Sequence, residues 1–288
     1  MCRTKLDNGS TIPKKADGFL GQKFHIVIVR YSQRNLCTIG VSSIYIMTKV
    51  TIVIPTYNER ENIGGLIEKI FEVFHKNNID GNIIVVDDNS PDGTSGAVEK
   101  IKENKDYPIE LIERPKKLGI GSAYISGFKK ALELDSDVIF EMDADLSHDP
   151  DIIPEFIENL RDYDVILGSR YVDDGKIENW GVYRKAISRG ANIFADMLLN
   201  LNVKDITAGY RAYKREVLQA IDLRAIRSDG YSFQVEMLFK TKKKGFRIKE
   251  IPIIFRDRSR GKSKLSKMEV VKFFILCFGL FVKRLKFI

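Results

Sequence analysis

The sequence "VIFEMDADLSHDP", residues 138–150, combines an apolar run, a pair of carboxylates and the start of a helix. The apolar run has the length of a strand that is covered on both faces of a sheet. Asp143 and Asp145 follow it, one residue apart. Asp149 and Pro150 then form the pattern that caps and opens a helix. We therefore predict a strand–turn–helix unit that presents two carboxylates at the carboxyl end of the strand, with a turn at Ala144.

The same alternation of strand and helix continues on both sides of this stretch. The predicted strands are "VTIVIP" (50–55), "NIIVVDD" (82–88), "IELIER" (109–114), "DVIFEMD" (137–143) and "DVILGSR" (164–170). The predicted helices span residues 61–76, 94–103 (capped by Thr94), 121–134 and 150–161. Short apolar strands that alternate with helices indicate an α/β protein whose mostly parallel sheet has helices on both faces. Ligands of such sheets bind at the carboxyl ends of the strands.

Charge is distributed unevenly along the chain. The 288 residues have a net charge of +8. Residues 242–288 hold 15 basic and 3 acidic side chains, a local +12, so the rest of the chain has a net charge of −4. This asymmetry favours a polyanionic or membrane-surface partner at the basic end, with a solvated basic tail as the alternative.

Cysteine and histidine usage argues against a metal centre built on these residues. The three cysteines, Cys2, Cys37 and Cys277, have neither metal-binding nor disulfide-framework spacing, which favours a reducing compartment. Three unpaired histidines make no zinc site. We expect His148 to be incidental, with a supporting position behind the acidic pair as the alternative. No uncharged apolar run reaches the roughly 20 residues that a bilayer span needs.

Two further segments place polar groups after predicted strands. In "IPTYNERENI", residues 54–63, Tyr57 suits a position against a nucleobase and Glu59 can accept hydrogen bonds from ribose hydroxyls. In "VVDDNSPDGT", residues 85–94, one of the two adjacent aspartates can bind a base or ribose, whereas Asp92 and the following glycine form a turn. Carboxylates at successive strand ends predict a ligand site along one edge of the sheet.

The glycines before the third predicted helix do not form a dinucleotide-binding loop. Residues 116–127, "KKLGIGSAYISG", contain Gly119 and Gly121, but Tyr124 stands where the third glycine of G-x-G-x-x-G belongs. The chain also has no G-x-x-x-x-G-K-[ST] sequence. Dinucleotide redox chemistry and P-loop ATP hydrolysis therefore both lose support.

Basic side chains complete the candidate site. They are Arg170, Arg184, Arg211 and the run "RDRSRGKSKLS" at 256–266, with Ser188 four residues after Arg184. Arginine and lysine beside an acidic metal site suit phosphate and diphosphate ligands. For any single one of these residues, a solvated surface position is the better interpretation, so the prediction depends on the whole set.

The ordered motifs resemble those of the family-2 glycosyltransferases of GT-A fold, and among these the dolichyl-phosphate mannosyltransferases. The motifs are "IPTYNERENI", "VVDDNSPDGT", "DADLSHDP", "GSRY", "DITAGYRAY" and "RSRGKSKL", within residues 49–266. The resemblance implies a Rossmann-like GT-A domain. It is more specific for the superfamily than for the donor sugar.

The resemblance also implies roles for individual residues. The implied nucleotide-sugar-binding residues are Pro55, Tyr57, Glu59, Val86, Asp88, Asp143, Ala144, Asp145, Arg170, Arg258 and Lys264. Asp143 and Asp145 are the implied ligands of Mg²⁺ or Mn²⁺ and, with Arg170, the implied catalytic residues. Arg184 and Ser188 match positions for the acceptor phosphate. Ser147 stands where some members have a glutamine that can ligate the metal.

The implied reaction is transfer of mannose from GDP-mannose to dolichyl or another polyprenyl phosphate, with inversion of configuration, for protein glycosylation. The implied location is peripheral, on the cytoplasmic face of a membrane, where membrane-anchoring subunits are possible partners. An alternative is transfer of glucose or N-acetylglucosamine from a UDP-sugar to a polyprenyl phosphate. A basic membrane or nucleic-acid adaptor is the non-enzymatic alternative, but it leaves the carboxylate pairs unexplained, so we expect no nucleic-acid partner.

Three segments are predicted along the chain. Residues 1–46 have no helical periodicity, and we expect a dispensable extension, non-native or disordered, before a natural start at Met47. Residues 47–266 form the predicted catalytic domain. Residues 267–288 have apolar residues at helical spacing with flanking lysines and arginines, which predicts an amphipathic helix at a membrane interface. A core helix docked on the domain and a dimer helix are the alternatives.

Overall fold

The computed structural model describes residues 21–29, 39–256 and 267–285, with side chains for 48–256 and 268–285. The chain divides into two compact units, Met1–Ile46 and Met47–Ile288. Strands β1 (Gly21–Val29) and β2 (Ile39–Met47) pair in a two-stranded sheet. The dispensability of residues 1–46 stays a prediction.

A seven-stranded sheet organises the second unit. Its strands, in chain order, are β3 (Lys49–Thr56), β4 (Asp80–Asp87), β5 (Ile109–Glu113), β6 (Val138–Glu141), β7 (Val165–Ser169), β9 (Arg211–Lys214) and β10 (Ile248–Pro252). Their spatial order is β10-β7-β9-β6-β3-β4-β5. Strand β9 is antiparallel to β6 and β7, and the other pairs are parallel. Strands β8 (Lys176–Glu178) and β11 (Ile254–Arg256) form a separate parallel pair.

Helices connect the strands as the alternating pattern predicts. They are α1 (Arg60–Lys76), α2 (Thr94–Asn104), α3 (Ile120–Glu133), α4 (Ile153–Asn159), α5 (Val182–Leu199), α6 (Arg215–Ala220), α7 (Gly230–Lys243) and α8 (Lys267–Leu285).

Two helix starts differ from the prediction. Residues 150–161 are not one helix: a 3₁₀ turn, Pro150–Ile152, precedes α4, because Pro154 has no N–H to donate to the carbonyl of Pro150. Asp149 caps that turn as predicted, since its side chain accepts a hydrogen bond from the Asp151 N–H. Thr94 does not cap α2. It is the first helical residue, and Asp92 Oδ1 accepts from its N–H at 3.0 Å.

Helices cover both faces of the sheet. On one face, Val53, Ile139 and Leu167 pack in a core cluster with residues of α3, α5, α7 and α8. On the other face, Phe140 packs against Phe156 of α4, and their ring centroids are 5.5 Å apart. This arrangement confirms the predicted α/β class with its mostly parallel sheet.

Close packing of α3 on β3 requires a glycine. A Cβ atom on Gly127 would lie 2.2 Å from Val53 Cγ1, a distance that no real Cβ contact tolerates. Gly127 therefore lets the α3 backbone approach the strand whose carboxyl end forms part of the site.

Helix α8 docks through one stripe of side chains. Phe273, Cys277 and Leu280 are buried and belong to the core cluster. The opposite stripe of the same helix is exposed. None of the helices in the described part of the chain has both the length and the apolar content that a bilayer crossing requires.

The direction of the chain reverses between β3 and β6. From β3 the chain moves outward through β4 to β5, and then returns to place β6 on the opposite side of β3. Adjacent parallel strands whose connections leave in opposite directions open a crevice at their carboxyl ends. The segments after β3 and β6 are those with Tyr57 and Asp143.

Candidate active site

A cavity of about 410 Å³ lies at this switch point. Most of the residues predicted for ligand binding line it. They are Pro55, Tyr57, Glu59, Asp88, Asp143, Ala144, Asp145, Arg170 and Arg184. Segments that are distant in sequence therefore meet around one space, as the motif order implied.

Two of the predicted residues that the structure describes do not line the cavity, and two others lie outside the described residues. Val86 is fully buried in the core cluster, so its side chain is not available to a ligand. Ser188 is half-buried on α5, one turn after Arg184, and is not among the lining residues. Arg258 and Lys264 lie outside the described residues, so their predicted roles stay predictions.

Asp143 is held by two neighbours. The hydroxyl of Tyr124, a fully buried residue of α3, donates to Asp143 Oδ1 at 2.9 Å. The Asp143 N–H donates to Nδ1 of His148 at 3.1 Å. Burial and the nearby Asp143 raise the pKa of Tyr124 well above its usual value, so Tyr124 stays a donor at neutral pH.

His148 is not incidental, contrary to the expectation from sequence. It is buried, its ring stacks on Tyr210 at 4.9 Å between centroids, and it fixes the backbone at Asp143. Accepting from an N–H requires an unprotonated Nδ1, which assigns the proton of the neutral ring to Nε2. Sequence reasoning missed this role because Tyr210 is distant in the chain.

The loop after Asp143 turns at Ala144 and Asp145, as predicted, and then bends at Leu146. Leu146 has φ +63°, in the left-handed region that leucine rarely adopts, and its side chain is exposed. Asp145 is buried beside it, and the Ser147 N–H donates to Asp145 Oδ1 at 3.1 Å. A strained residue of this kind costs about 1 kcal/mol or more and is typical of functional loops.

The chemistry of the acidic pair suits a divalent cation, to which Asp143 and Asp145 would supply carboxylate oxygens. Among the described residues, no group of three or more His, Cys, Asp or Glu side chains could hold a metal. Mg²⁺ is commonly held by one or two carboxylates, with waters and ligand phosphates at its other positions. The hydroxyl of Ser147 is buried without a hydrogen-bond partner, next to Asp145, which indicates a polar ligand at this position.

Asp88 organises the loop that precedes α3. It forms a buried ion pair with Arg114. Its Oδ2 accepts from the N–H groups of Leu118 and Gly119 at 3.0 and 3.1 Å. Asp88 lines the cavity, so its carboxylate both fixes this loop and forms part of the wall. Sequence reasoning missed Arg114, which no motif marks.

The side chain of Lys117 lies over the ring of Tyr57. Lys117 Nζ lies 4.0 Å from the centroid of the Tyr57 ring, and both residues line the cavity. A lysine over an aromatic ring is attracted to the face of that ring, so this contact places a positive charge on the cavity wall.

The N-terminus of α3 is occupied by a carboxylate. Asp229 Oδ1 accepts from the Gly121 N–H at 2.7 Å. A negative side chain at this position neutralises the positive end of the helix dipole. The diphosphate of a dinucleotide would meet repulsion there, which explains physically why this glycine-containing loop is not a Rossmann fingerprint.

Arg170 forms a bidentate pair with Asp205. Its Nε lies 2.7 Å from Asp205 Oδ2, its Nη2 lies 2.6 Å from Oδ1, and both residues are buried. Burial alone would lower the pKa of Arg170, but Asp205 outweighs this effect and the pKa is raised. Arg170 Nη2 also donates to Thr207 at 2.9 Å. The arginine thus brings a fixed positive charge to the cavity wall.

A polar network lies directly under the acidic pair. Glu141 is fully buried and accepts from Tyr213 and Gln234, each at 2.8 Å. Burial raises the pKa of Glu141 to about 7, against the opposing effects of Arg211 and these hydrogen bonds. Arg211 is buried and donates to backbone carbonyls instead of facing the cavity. It therefore supports the 206–208 loop.

The sheet, its switch point and the charged cavity define an α/β protein of the kind that binds nucleotides at strand ends. Comparison with family models gives the family: residues 51–222 match the model described as Glycosyl transferase family 2. The chain belongs to glycosyl transferase family 2 and is a glycosyltransferase.

Curated relatives are similar over most of their length. The undecaprenyl-phosphate mannosyltransferase of Micrococcus luteus is 44% identical over 76% of this chain and 88% of its own length. The polyprenol monophosphomannose synthase of Mycolicibacterium smegmatis is 39% identical over 76% of this chain and 81% of its own.

Solved structures share the fold at low identity. Glucosyl-3-phosphoglycerate synthase from Mycobacterium tuberculosis, in complex with Mn²⁺, UDP and glucosyl-3-phosphoglycerate, has a TM-score of 0.60 and 16% identity, over 81% of this chain and 80% of that one. Mannosyl-3-phosphoglycerate synthase from Rubrobacter xylanophilus has a TM-score of 0.58 and 18% identity, over 83% and 74%. The predicted family and GT-A fold are confirmed.

Proposed function

We propose that this chain transfers mannose from GDP-mannose to a polyprenyl phosphate, such as dolichyl phosphate. One observation of the structure supports the proposal above all others. A single cavity is bounded by the acidic pair Asp143 and Asp145 on one side and by Arg184 of α5 on another. The two curated relatives, whose names specify mannose and polyprenyl phosphate acceptors, support the same reaction.

The donor is assigned to the strand ends of β3, β4 and β6, which we call the donor half. Tyr57 and Glu59 bind the nucleoside, and Asp88 orders the loop around it. Asp143 and Asp145 would hold Mg²⁺ or Mn²⁺, which when bound neutralises charge on the diphosphate. Arg170, fixed by Asp205, adds a positive charge for the same leaving group.

The acceptor is assigned to α5 and the residues before it, which we call the acceptor half. Arg184 binds the acceptor phosphate, and Ser188 lies one turn further along the same helix. A phosphate monoester is a competent nucleophile at neutral pH, so no general base is required. Its oxygen forms a bond to the anomeric carbon, the bond from that carbon to the diphosphate breaks, and GDP leaves with the electron pair. In-line displacement inverts the configuration and gives a β-linked mannosyl phosphate.

The membrane location rests on exposed apolar stripes of α5 and α8. The large apolar residues that are exposed on α5 are Val182, Tyr183, Ile187, Ile193 and Met197, and those on α8 are Met268, Val271, Phe274, Ile275, Phe278, Val282 and Leu285. At 100° per residue, each set falls on one stripe, opposite the buried residues of its helix. Four of these side chains, Val182, Tyr183, Ile275 and Met197, are between 68% and 84% exposed.

The two stripes adjoin in what we call the α5–α8 face. Phe194 packs edge-on against Phe274 and Phe278, at 4.9 and 6.0 Å between ring centroids. Arg284 donates to the carbonyl of Leu198 at 3.0 Å. These contacts follow the same order along both helices, so α5 and α8 run parallel. Both N-termini lie toward the cavity, which Arg184 and Glu269 line.

This geometry suits a peripheral enzyme at the cytoplasmic face of a membrane. Basic side chains accompany the α5–α8 face, and anionic lipid headgroups attract such side chains. The described basic residues are Arg184, Lys185, Arg189, Lys272, Lys283 and Arg284. With the face on the bilayer, an acceptor phosphate at the headgroup level would reach the cavity while its chain stays in the lipid. We propose this role for α8 within the predicted segment 267–288.

A donor and acceptor screen tests the reaction. Purified full-length protein is incubated with Mn²⁺ or Mg²⁺, a radiolabelled sugar donor and dolichyl or undecaprenyl phosphate in detergent. We expect mannosyl transfer from GDP-mannose and rates at least about tenfold lower with UDP-glucose or UDP-N-acetylglucosamine. Preferential transfer from either UDP-sugar would contradict the donor assignment.

Vesicle flotation tests the membrane face. The double variant Ile275→Ser/Val282→Ser removes apolar area from the exposed stripe and leaves the packing of Phe194 on Phe274 and Phe278 in place. We expect its partition onto vesicles containing phosphatidylserine to fall about tenfold or more. Ile254→Ser, which changes an exposed residue of β11, is the control and should partition like the unsubstituted protein. Equal partition of all three proteins would refute the role of the face.

A further inference from the structure

Trp180 is the one tryptophan of the chain and lines the cavity between two arginines. It lies between β8 and α5, where no motif marks it. The Arg184 Cζ atom is 3.9 Å from the centroid of the indole, and the Arg170 Cζ atom is 5.4 Å from it. Phe255 packs edge-on against the same indole at 5.5 Å.

The two arginines are fixed in different ways. Arg170 has its bidentate ion pair with Asp205 as well as the aromatic contacts. Arg184 is half-buried in the first turn of α5, and the indole is the closest ring contact described for it. A long arginine side chain loses considerable rotamer freedom when it is ordered, and a stacked aromatic surface offsets that loss before any ligand arrives.

Stacking on the indole leaves the geometry of phosphate binding intact. The Arg184 Cζ atom lies over the ring at 3.9 Å from its centroid. A guanidinium that stacks on a ring uses its face, whereas phosphate oxygens bind to N–H groups that lie in its plane. One arginine can therefore stack and bind phosphate together. Tryptophan gives the strongest attraction of the aromatic side chains for a cation.

The indole N–H supports a role toward a ligand. Nε1 of Trp180 is buried and has no hydrogen-bond acceptor among the described residues. Buried indole N–H groups usually find a partner, and a substrate oxygen in the adjoining cavity would supply one. This observation is independent of the contact with Arg184.

We propose that Trp180 positions Arg184 for the acceptor phosphate and so sets the affinity for the acceptor. The inference rests on the proposed function, because it takes Arg184 as the residue that binds this phosphate. Trp180 acts through Arg184 and is therefore a positioning residue. It affects the acceptor and leaves the donor half unchanged.

Kinetics with a short-chain, water-soluble prenyl phosphate separate this role from membrane binding. We expect Trp180→Leu to raise the acceptor KM about 5- to 30-fold, the range of a cation–π contact that is partly shielded from water. The KM for the donor should change less than about twofold. Trp180→Phe keeps an aromatic face and should recover most of the loss. Tyr163→Leu removes a ring beside Lys249, remote from the cavity lining, and is the matched control.

A double-mutant cycle tests whether Trp180 acts through Arg184. If it does, Trp180→Leu should add less than about twofold to the acceptor KM of Arg184→Gln. Full additivity would overturn the proposal, as would an unchanged acceptor KM or an equal rise in both KM values.

Fluorescence of the single indole provides a readout without turnover. Titration of the unsubstituted protein with the same prenyl phosphate should change the emission of Trp180, with half-saturation near the acceptor KM, and Arg184→Gln should weaken that response. No change in emission at saturating acceptor would contradict the proposal even if Trp180→Leu failed to fold. Absence of sugar transfer by the unsubstituted protein would instead contradict the proposed function. The fluorescence titration would still report whether a phosphate binds beside the indole.

Discussion

The donor half and the acceptor half of the cavity hold their charged groups by different means. In the donor half, Asp88 and Asp145 are buried, and Asp143 accepts from the buried Tyr124. In the acceptor half, Arg184 lies on an aromatic ring, at the start of a helix whose outer stripe is apolar and exposed. Carboxylates fixed in advance suit a metal-bound diphosphate, which needs charges that do not reorganise. A cation on an aromatic platform beside an apolar face suits a phosphate that arrives on a lipid.

The largest effect is expected at the acidic pair. Asp145→Asn removes one of two anionic groups proposed to hold the cation and should lower kcat/KM for GDP-mannose about 100- to 1,000-fold at saturating metal. Asp149→Asn is the control, since Asp149 caps a turn and binds Lys69 at 2.9 Å, and its loss should cost less than about fivefold. Initial rates of both variants decide the matter. Near-normal turnover by Asp145→Asn would contradict the proposal that the acidic pair holds the cation at the donor diphosphate.

The second effect is expected in stability, at the buried ion pair between Arg170 and Asp205. Asp205→Ala leaves Arg170 buried without its partner and should lower the free energy of unfolding by about 3–5 kcal/mol. Glu178→Ala breaks the exposed pair with Arg256, whose separation is 3.2 Å, and should cost less than about 1 kcal/mol. Urea denaturation followed by circular dichroism measures both. Similar losses of unfolding free energy in the two variants would show that the buried pair contributes no more to stability than the exposed pair.

The third effect is a pH dependence that belongs to the donor half alone. Burial raises the pKa of Glu141 to about 7 from 4.5, so the folded state binds more protons than the unfolded state between these values. Stability from this group is therefore present at low pH and lost as pH rises toward 7. Relative to the unsubstituted protein, Glu141→Gln should gain about 2.5 kcal/mol between about pH 5 and about pH 8.

Unfolding titrations without divalent cations test this prediction for Glu141. They are made at both pH values for the two proteins. Parallel pH profiles would mean that the ionised carboxylate is stabilised in the folded protein as well as it is in water.

The smallest effect is expected from a single hydrogen bond. Tyr124→Phe keeps the ring, which stacks near Phe233, but removes the donor to Asp143. The concentration of Mn²⁺ for half-maximal activity should rise about 3- to 10-fold, while the acceptor KM stays the same. A change confined to the acceptor KM would contradict the assignment of Tyr124 and Asp143 to the donor half.

The sequence predicted the strands and helices better than the way in which they pair and contact one another. Apolar runs and helix signals located the parallel strands and most helices, because both depend on local periodicity. Strand β9 runs antiparallel between β6 and β7, and nothing local in Arg211–Lys214 indicates this direction. The break at Pro154 was readable in principle, since a proline cannot donate to the preceding turn.

In the candidate site, too, the residues that line the cavity were predicted and the residues that support them were not. Motifs predicted that Tyr57, Asp88, Asp143 and Asp145 meet at one edge, and they line one cavity. The residues that hold these groups were missed, because Arg114, Tyr124 and His148 act through partners distant in sequence or unmarked by motifs. Trp180 was missed for a related reason, since its importance depends on two arginines from different elements.

Calorimetric titration of GDP into the protein, with and without Mn²⁺, tests the central claim most directly. The account predicts that Mn²⁺ tightens GDP binding at least about tenfold and that Asp145→Asn abolishes this gain. An equal Kd in the presence of Mn²⁺ and of a chelator would contradict it, because the acidic pair would then have no part in holding the diphosphate.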